Sequence, residues 1–325
     1  MNWFARGMLW LACATVGMVY AAPARAQAYP GKPIHILVGF SAGGAIDIVA
    51  RLIGQKISED LGQPVVIENK LGASGSIAAE IVARSAPDGY VLLAGTSASM
   101  VINPVVYSNI TYSPTRDFAA VSMMASWPFI LAAGKNLPVA SVRDLIAYVR
   151  QHPDKANIAG ASASFQLAFE LLKAQTGAKL QYVTYKGSID AIRAVEGGEV
   201  LATLVDAGTI APHLKNGEIR GLAVLSPVRA PRFPDLPSMR ESGVDGVEVS
   251  GWGGLFAPAK TPPAIVDKLQ EEVARAVTQP DVKARMDALS IDPVGNRPDA
   301  FSAIVAADLK RWQAVAQTAN VRLEP

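Results

Sequence analysis

An apolar strand, a glycine turn and an amphipathic helix follow one another directly between Ile34 and Arg51. This order places the helix N-terminus, with its unpaired N–H groups and partial positive charge, beyond the carboxyl end of the strand. Gly43 and Gly44 carry no Cβ, so a ligand can approach the backbone closely. The apolar stripe that docks the helix on a sheet comprises Ile46, Val49, Ile53 and Ile57. The segment therefore predicts a binding site for an anion.

Short β-branched runs alternate with helical patterns along the rest of the chain. This alternation is typical of a doubly wound α/β fold, so the chain is assigned to the α/β class. Strands are predicted over residues 34–39, 65–68, 90–94, 129–133, 156–159, 181–185, 201–205, 222–225 and 252–257. Helices are predicted over residues 45–60, 76–85, 142–151, 165–176, 189–196, 263–277 and 298–319.

Small residues and hydroxyls follow four of these strands, in loops at residues 39–44, 71–76, 95–99 and 160–164. In any single loop, a serine or threonine is also explained by capping of the next helix. Four such loops in two halves of the chain predict a polar cleft, because ligands bind outside the carboxyl ends of parallel strands. The candidate ligand-binding residues in these loops are Ser41, Gly43, Gly44, Gly75, Ser76, Thr96, Ser97, Ser162 and Ser164.

The N-terminal residues have the pattern of a secretory signal. Arg6 precedes an apolar run over residues 8–22, and Ala24-Arg25-Ala26 has the small-x-small pattern of a cleavage site. We therefore expect residues 1–26 to be absent from the exported, mature protein. The single cysteine, Cys13, lies inside this segment, so the mature chain relies on an ordinary apolar core instead of disulfides.

The balance of charge argues against a nucleic acid or a membrane surface as partner. The chain has 30 Lys and Arg against 28 Asp and Glu, and loss of Arg6 and Arg25 with the signal leaves 28 of each sign. Basic residues occur in runs no longer than a pair, so the chain lacks the electrostatic footprint that polyanions require. We expect a small molecule as the partner.

The run Gly39-Phe40-Ser41-Ala42-Gly43 also matches the nucleophile elbow of serine esterases, in the required strand–turn–helix context. This alternative function needs a histidine late in the chain, and only His152 and His213 follow Ser41. Both histidines lie beside a proline, in positions typical of surface or capping residues. The sequence has no P-loop and no histidine pair with metal-ligand spacing. We expect no enzyme activity, no cofactor and no metal.

Two carboxylates are further candidates. Asp47 and Arg51 lie four residues apart on the first predicted helix, which favours an ion pair near the cleft. Asp47 is alternatively a residue that holds the first loop. Asp206 ends an otherwise apolar strand, and it is interpreted either as a cleft residue or as the cap of a following helix.

A set of short motifs extends along the chain. It comprises Tyr29-Pro30-Gly31-Lys32-Pro33-Ile34, Gly39-Phe40-Ser41-Ala42-Gly43-Gly44 with Asp47 and Arg51, Val66-Ile67-Glu68-Asn69-Lys70 with Gly72, Gly75 and Ser76, Pro87-Asp88-Gly89-Tyr90, Asn103-Pro104, Asp117-Phe118, Tyr185-Lys186-Gly187-Ser188, Pro212-His213 and Gly251-Trp252-Gly253-Gly254-Leu255-Phe256-Ala257-Pro258. As an ordered set, these motifs resemble the Bug family, the extracytoplasmic substrate-binding proteins of tripartite tricarboxylate transporters. The resemblance covers essentially the whole mature chain.

The resemblance implies a periplasmic binding protein of type II-like architecture, in which two doubly wound α/β domains close over a ligand without covalent chemistry. Domain 1 would combine residues 27–128 and 250–325, domain 2 would span residues 129–249, and crossover strands at 129–133 and 252–257 would join them. The implied protein is a periplasmic monomer that binds a small carboxylate and delivers it to integral-membrane permease subunits. Di- and tricarboxylates, aromatic acids and acidic amino acids are all open as ligands.

The resemblance also implies which residues hold the ligand. The carboxylate would lie between residues 40–47 and 72–77 of domain 1, with residues 162–166 as the counterpart in domain 2. Phe165 stands where family members often have a longer glycine- and serine-rich loop, which indicates a bulkier or aromatic ligand wall. The ligand-binding residues implied in addition to those above are Phe40, Ala42, Asp47, Gln166, Tyr185 and Asp206.

Overall fold

A computed structural model describes residues 29–318, and residues from Lys32 onward form one compact unit. The predicted signal, with Cys13, lies outside the described residues. The strands are β1 (Ile34–Val38), β2 (Val65–Asn69), β3 (Val91–Thr96), β4 (Phe118–Gly134), β5 (Asn157–Gly160), β6 (Gln181–Thr184), β7 (Ala202–Asp206), β8 (Ile219–Val224), β9 (Ser250–Pro258) and β10 (Asp292–Pro293). The helices are α1 (Ala45–Leu61), α2 (Ser76–Ala83), α3 (Asn103–Val106), α4 (Val142–Gln151), α5 (Ala163–Thr176), α6 (Ser188–Glu196), α7 (Ala207–Lys215), α8 (Pro263–Thr278), α9 (Pro280–Ala288) and α10 (Pro298–Thr318).

The strands form two sheets that share the long strand β4. In the first sheet β2, β1 and β3 are parallel neighbours, and β9 pairs antiparallel with β3 and β4. In the second sheet β6, β5 and β7 are parallel neighbours, and β7 and β8 pair antiparallel with β4. The chain passes from one sheet to the other inside β4, where the pairing with β9 ends at Pro128 and the pairing with β7 begins at Phe129. The predicted α/β class is confirmed.

The first helix is buried as its apolar stripe predicts. Ile46, Val49, Ile53 and Ile57 are all buried, and each such side chain stabilises the fold by about 1.5–3 kcal/mol. Gly54 lets α1 approach β2, because a Cβ at this position would lie 3.1 Å from Ile67. α1 is therefore fixed against the sheet that ends beside its N-terminus. Among the described residues, no helix combines the length and apolarity needed to cross a membrane.

Strand β4 is much longer than the sequence predicts, since residues 129–133 are only its last part. The preceding residues 118–128 are rich in Ala, Ser and Met and include Pro128, which is a weak strand pattern. Pairing with β9 makes them a strand, with register irregularities between Ala120 and Ser122 and between Met123 and Ala125. Long-range pairing outweighs local propensity in this segment.

The structure also contains helices that the sequence pattern did not predict. α7 includes Gly208 and Pro212, both of which weaken a helical pattern, yet it forms behind a side-chain cap from Asp206. α3 and α9 each have a proline in their first turn, where a missing N–H costs little.

Candidate functional site

Loops from both sheets surround one small cavity near the carboxyl ends of β1, β3, β5 and β7. The cavity has a volume of about 50 Å³. The predicted site residues that line it are Phe40, Ser41, Ala42, Gly44, Thr96, Ser97, Ser162, Ser164 and Asp206. The other lining residues are Ala45, Ile46, Ala98, Trp127, Phe129, Ala161, Phe165, Gly187, Ser188, Ile189 and Gly251.

The two glycines of the first loop have different roles. Gly43 has a φ of +85°, a conformation that L side chains rarely adopt. Gly44 has a φ of −73°, which suits any residue, and a Cβ there would have the Ser41 carbonyl oxygen 3.5 Å away as its nearest neighbour. The turn therefore depends on Gly43, whereas Gly44 keeps the cavity wall free of a side chain.

Asp47 holds this loop from behind and does not line the cavity. Its Oδ2 accepts hydrogen bonds from the Gly43 N–H and from Arg51 Nε, each at 2.9 Å. Its Oδ1 accepts from Arg51 Nη2 at 2.9 Å and from Asn69 Nδ2 at 2.8 Å, and Asn69 Nδ2 also donates to the Phe40 carbonyl oxygen at 2.9 Å. Both sequence interpretations of Asp47, as an ion-pair partner and as a residue that holds the loop, agree with this geometry.

The charge of Asp47 is maintained by its partners. Burial of the side chain by itself would raise the pKa of Asp47. Hydrogen bonds from Arg51, Gly43 and Asn69 outweigh that effect and lower the pKa below its ordinary value. The loop is thus fixed by an ionised carboxylate that is fully engaged on the far side from the cavity.

The helix N-termini around the cavity are capped in different ways. α1 begins after Gly44 with no side-chain cap. α5 begins after Ser162, whose Oγ accepts a hydrogen bond from the Phe165 N–H at 3.3 Å. α7 begins after Asp206, which accepts from the Thr209 N–H at 2.9 Å. α1 therefore presents uncapped N–H groups where its first residues line the cavity.

Asp206 combines both of its predicted roles, because it caps α7 and also lines the cavity. Its Oδ1 accepts from the Thr209 N–H and from Thr209 Oγ1 at 2.6 Å. Its Oδ2 accepts from Ser188 Oγ at 2.7 Å, at the start of α6. The carboxylate is 5% exposed and receives only neutral donors.

Aromatic side chains form a wall of the cavity that the sequence analysis identified only in part. Phe165 lines the cavity, and its ring packs edge-on against Phe129 with a centroid distance of 4.7 Å and an interplanar angle of 70°. Trp127 joins them from the same strand as Phe129. Trp127 and Phe129 were missed because they reach the cavity through the pairing of β4 with two distant strands, although two aromatic residues beside Pro128 are a signal in retrospect.

Gln166 and Tyr185 line a neighbouring opening instead of the cavity. This opening has a volume of about 530 Å³, and Phe40 and Ala161 line both spaces. The Tyr107 hydroxyl also lines it and donates to Gln166 Oε1 at 3.4 Å. Gln166 and Tyr185 thus line the neighbouring opening and not the cavity.

Gly75 and Ser76 do not line the cavity. Ser76 Oγ accepts a hydrogen bond from Asn103 Nδ2 at 2.7 Å and lies 3.3 Å from the Tyr112 hydroxyl. Gly75 has a φ of +88°, and a Cβ there would lie 3.0 Å from the Phe40 ring. The lack of a side chain at Gly75 lets the Phe40 ring pack closely against the start of α2.

The histidines lie outside the cavity and have other partners. His213 Nδ1 lies 2.6 Å from Glu196 Oε1, and the ring of His152 packs against Tyr148 after the end of α4. Ser41 therefore shares the cavity lining with neither histidine that could complete a triad. The esterase alternative is not supported.

A cavity lined by loops from two sheets, with an uncapped helix N-terminus on one side, defines a solute-binding protein. The model of the tripartite tricarboxylate transporter family receptor, TctC, matches residues 49–321. The chain belongs to this family. The resemblance to the Bug proteins that the sequence motifs predict is confirmed.

Known relatives extend over nearly the whole chain. BugT of Bordetella pertussis is 33% identical over 316 residues, which is 96% of each protein. The structure of an R. palustris protein with adipate is 36% identical, has a TM-score of 0.86, and matches 90% of this chain and 99% of that one. The structure of MatC from Rhodopseudomonas palustris with bound malate is 33% identical, has a TM-score of 0.84, and matches 88% of this chain and 99% of that one.

Proposed function

We propose that this chain is a periplasmic substrate-binding protein that captures a small carboxylate in the cavity and delivers it to the membrane subunits of a tripartite tricarboxylate transporter. The observation that carries the proposal is the uncapped N-terminus of α1, whose first residues form part of the cavity wall. Membership of the transporter receptor family supports the transport role. The relatives solved with adipate and malate support a carboxylate as the ligand.

The carboxylate would be held by neutral donors. The lining formed by the described residues has no lysine, arginine or histidine, and its donors are backbone N–H groups and hydroxyls such as those of Ser41 and Thr96. Hydrogen bonds from neutral donors to an anion contribute about 1.5–3 kcal/mol each. A few such bonds give useful affinity while leaving release easy, which suits a transport protein.

Ligand capture would involve closure of two domains, with residues 27–128 and 250–325 as domain 1 and residues 129–249 as domain 2. Contacts between the first loop and the start of α6 support this closing motion. A Cβ on Gly187 would lie 2.7 Å from the Ser41 side chain, and one on Gly43 would lie 2.9 Å from Ile189. A ligand bound between these segments would stabilise the closed state through contacts that the open state lacks.

Binding without catalysis is part of the proposal, and the protein would act as a monomer. A hydrolysis assay with short-chain nitrophenyl esters tests the first statement, and we expect no turnover. Ester hydrolysis that disappears in Ser41→Ala would contradict it. Size-exclusion chromatography with light scattering tests whether the protein is a monomer, and we expect the mass of a single chain.

Export and removal of residues 1–26 complete the proposal. Mass spectrometry of the protein from a periplasmic fraction should find Gln27 at or near the N-terminus. A lipid-modified Cys13, or an intact leader in the cytoplasmic fraction, would contradict it.

A thermal-shift screen of the purified protein tests the central proposal. The panel contains di- and tricarboxylates, aromatic acids, short-chain acids and acidic amino acids, with the corresponding amides and sugars as uncharged controls. A ligand at one hundred times its Kd adds about 2.7 kcal/mol to the free energy of unfolding. Stabilisation by carboxylates and not by their amides supports the proposal, whereas stabilisation by uncharged compounds alone would refute it.

A further inference from the structure

From the walls of the cavity we infer that the ligand carries a single carboxylate on a short, uncharged, apolar body such as one ring or a branched chain. This inference rests on the proposed function and narrows its substrate class. The inferred ligand has one carboxylate, whereas adipate and malate, which are bound in the two relatives, each have two.

The charge of the cavity lining disfavours a second carboxylate on the ligand. Among the described residues of the lining, Asp206 has the only ionisable side chain, and its two oxygens accept hydrogen bonds from Thr209 and Ser188. No cation in the lining can neutralise a second carboxylate on the ligand. A carboxylate close to Asp206 in a water-poor cavity is strongly disfavoured by repulsion between like charges.

The position of Asp206 strengthens this argument. Its carboxylate accepts a hydrogen bond from Ser188 at the start of α6 and caps α7. The N-termini of both helices therefore already have a carboxylate of the protein beside them. α1 and α6 both begin without a side-chain cap, but the start of α6 lies beside the Asp206 carboxylate, so the start of α1 is left for an anionic group of the ligand. The site therefore accommodates one ligand carboxylate, at the α1 side.

The walls indicate an apolar body for the rest of the ligand. Trp127, Phe129 and Phe165 line the cavity, and Ile46 and Ile189 add aliphatic surface. A polar or charged ligand body buried against these side chains would lose its hydration without compensation. Because the cavity measures only about 50 Å³, a long body would require more movement of its walls than a short one.

One hydroxyl among the lining residues lacks a partner in the described part of the protein. Ser164 is one of the residues that line the cavity, and its buried Oγ has no hydrogen-bond partner among the described residues. A buried hydroxyl without a partner costs free energy, and a polar atom of the ligand would satisfy it. Ser164 thus offers the ligand one neutral hydrogen bond inside the cavity.

Calorimetric titration of the mature protein with a defined panel tests the inference. Benzoate and 3-methylbutanoate represent the proposed class, and adipate, malate and citrate represent the alternatives. We expect at least one monocarboxylate to bind ten times more tightly than every di- or tricarboxylate. Tighter binding of adipate, malate or citrate would overturn the inference and leave the proposed function standing, whereas no binding of any carboxylate would overturn both.

The Asp206→Asn variant tests the charge argument, because asparagine can still accept hydrogen bonds at the cap of α7. We expect the affinity ratio of monocarboxylate to dicarboxylate to fall at least tenfold, with Asp235→Asn in an exposed loop as the matched control. An unchanged ratio would refute the role of Asp206. Because the titration of the parent protein stands by itself, the inference stays testable if this variant folds poorly.

The Phe165→Leu variant tests the aromatic wall. We expect a severalfold loss of affinity for benzoate relative to 3-methylbutanoate. Phe169→Leu makes the same change one helical turn away, at a buried residue outside the cavity lining, and should leave that ratio unchanged. An equal effect of both variants would show that Phe165 acts through stability alone.

Discussion

The N-termini of α1 and α7 face the same cavity, yet only one of them is available to an anion. α7 is capped by the Asp206 carboxylate, whereas α1 begins after Gly44 without a side-chain cap. Asp47 in the first turn of α1 is also a carboxylate, but it bonds the Gly43 N–H and Arg51 behind the loop. A helix N-terminus therefore becomes a ligand site only where the chain leaves its N–H groups unoccupied.

The comparison also separates affinity from stability. Groups that the protein has already satisfied, as at Asp206, contribute to the fold. The backbone N–H groups at the start of α1 have no side-chain cap, so they are available to a ligand. Their lack of a cap lowers the stability of the ligand-free protein. Changes at the two helix ends should therefore affect different measurements.

The largest expected effect is at Gly44. Gly44→Val places a branched side chain where the carboxylate would lie, and we expect affinity to fall about 100-fold, or about 3 kcal/mol. Since φ at Gly44 is −73°, the melting temperature should stay close to that of the parent. Calorimetry and thermal unfolding measure both, with Asp235→Ala as the control. Unchanged affinity would mean that α1 does not hold the anion.

The opposite pattern is expected at the capped helix. Asp206→Ala removes the cap of α7 and the acceptor of Ser188 Oγ, so the free energy of unfolding should fall by about 2 kcal/mol. Urea unfolding measures this change. If Asp206→Ala were as stable as the parent, the cap from Asp206 would not contribute to the stability of the protein.

Contact between the two sides of the cavity gives a third test. Gly187→Ala adds a Cβ 2.7 Å from the Ser41 side chain, and an overlap of this kind costs about 1–3 kcal/mol. We expect affinity to fall about tenfold because the closed state is disfavoured, with little change in stability. Ser41→Gly removes the overlapping side chain, so adding Gly187→Ala to Ser41→Gly should cause little further loss of affinity. A further tenfold loss in the double variant relative to Ser41→Gly would argue against this contact as the cause.

The smallest expected effect is at Asp47. The lowered pKa of Asp47 means that its contribution to stability is present above the ordinary value of 3.8 and is lost as pH falls through the lower value of the folded protein. Asp47→Asn should cost about 1 kcal/mol near pH 7 and show a weaker loss of stability on acidification. Urea midpoints between about pH 6 and pH 3 measure the difference. Identical pH profiles for variant and parent would exclude Asp47 as a contributor.

Features specified by neighbouring residues could be predicted from the sequence. Three such features involve residues only three or four positions apart along the chain. They are the apolar stripe of α1, the Asp47–Arg51 ion pair and the cap at Asp206. The loops after β1, β2, β3 and β5 were predicted to form one cleft, because ligands bind outside the carboxyl ends of parallel strands. The loops after β1, β3 and β5 line the cavity, whereas the loop after β2 lines the neighbouring opening.

Features that depend on distant pairing could not be predicted. Trp127 and Phe129 reach the cavity because β4 pairs with β9 on one side of Pro128 and with β7 on the other. Ser76 turns towards Asn103 and Tyr112, which lie 27 and 36 residues further along the chain. Nothing in the local pattern of Ser76 distinguishes it from Ser41, which lines the cavity.

The sequence by itself determined the α/β class, the position of the first loop and the family, since periodicity and motif order are properties of the chain. Only the tertiary structure decided which hydroxyls face the cavity, which carboxylate is already engaged, and that aromatic side chains from β4 close the site. The physical reason is that burial and hydrogen bonding of a side chain depend on what packs against it. At this site those neighbours come from segments as far apart in the chain as Gly44, Asp206 and Gly251.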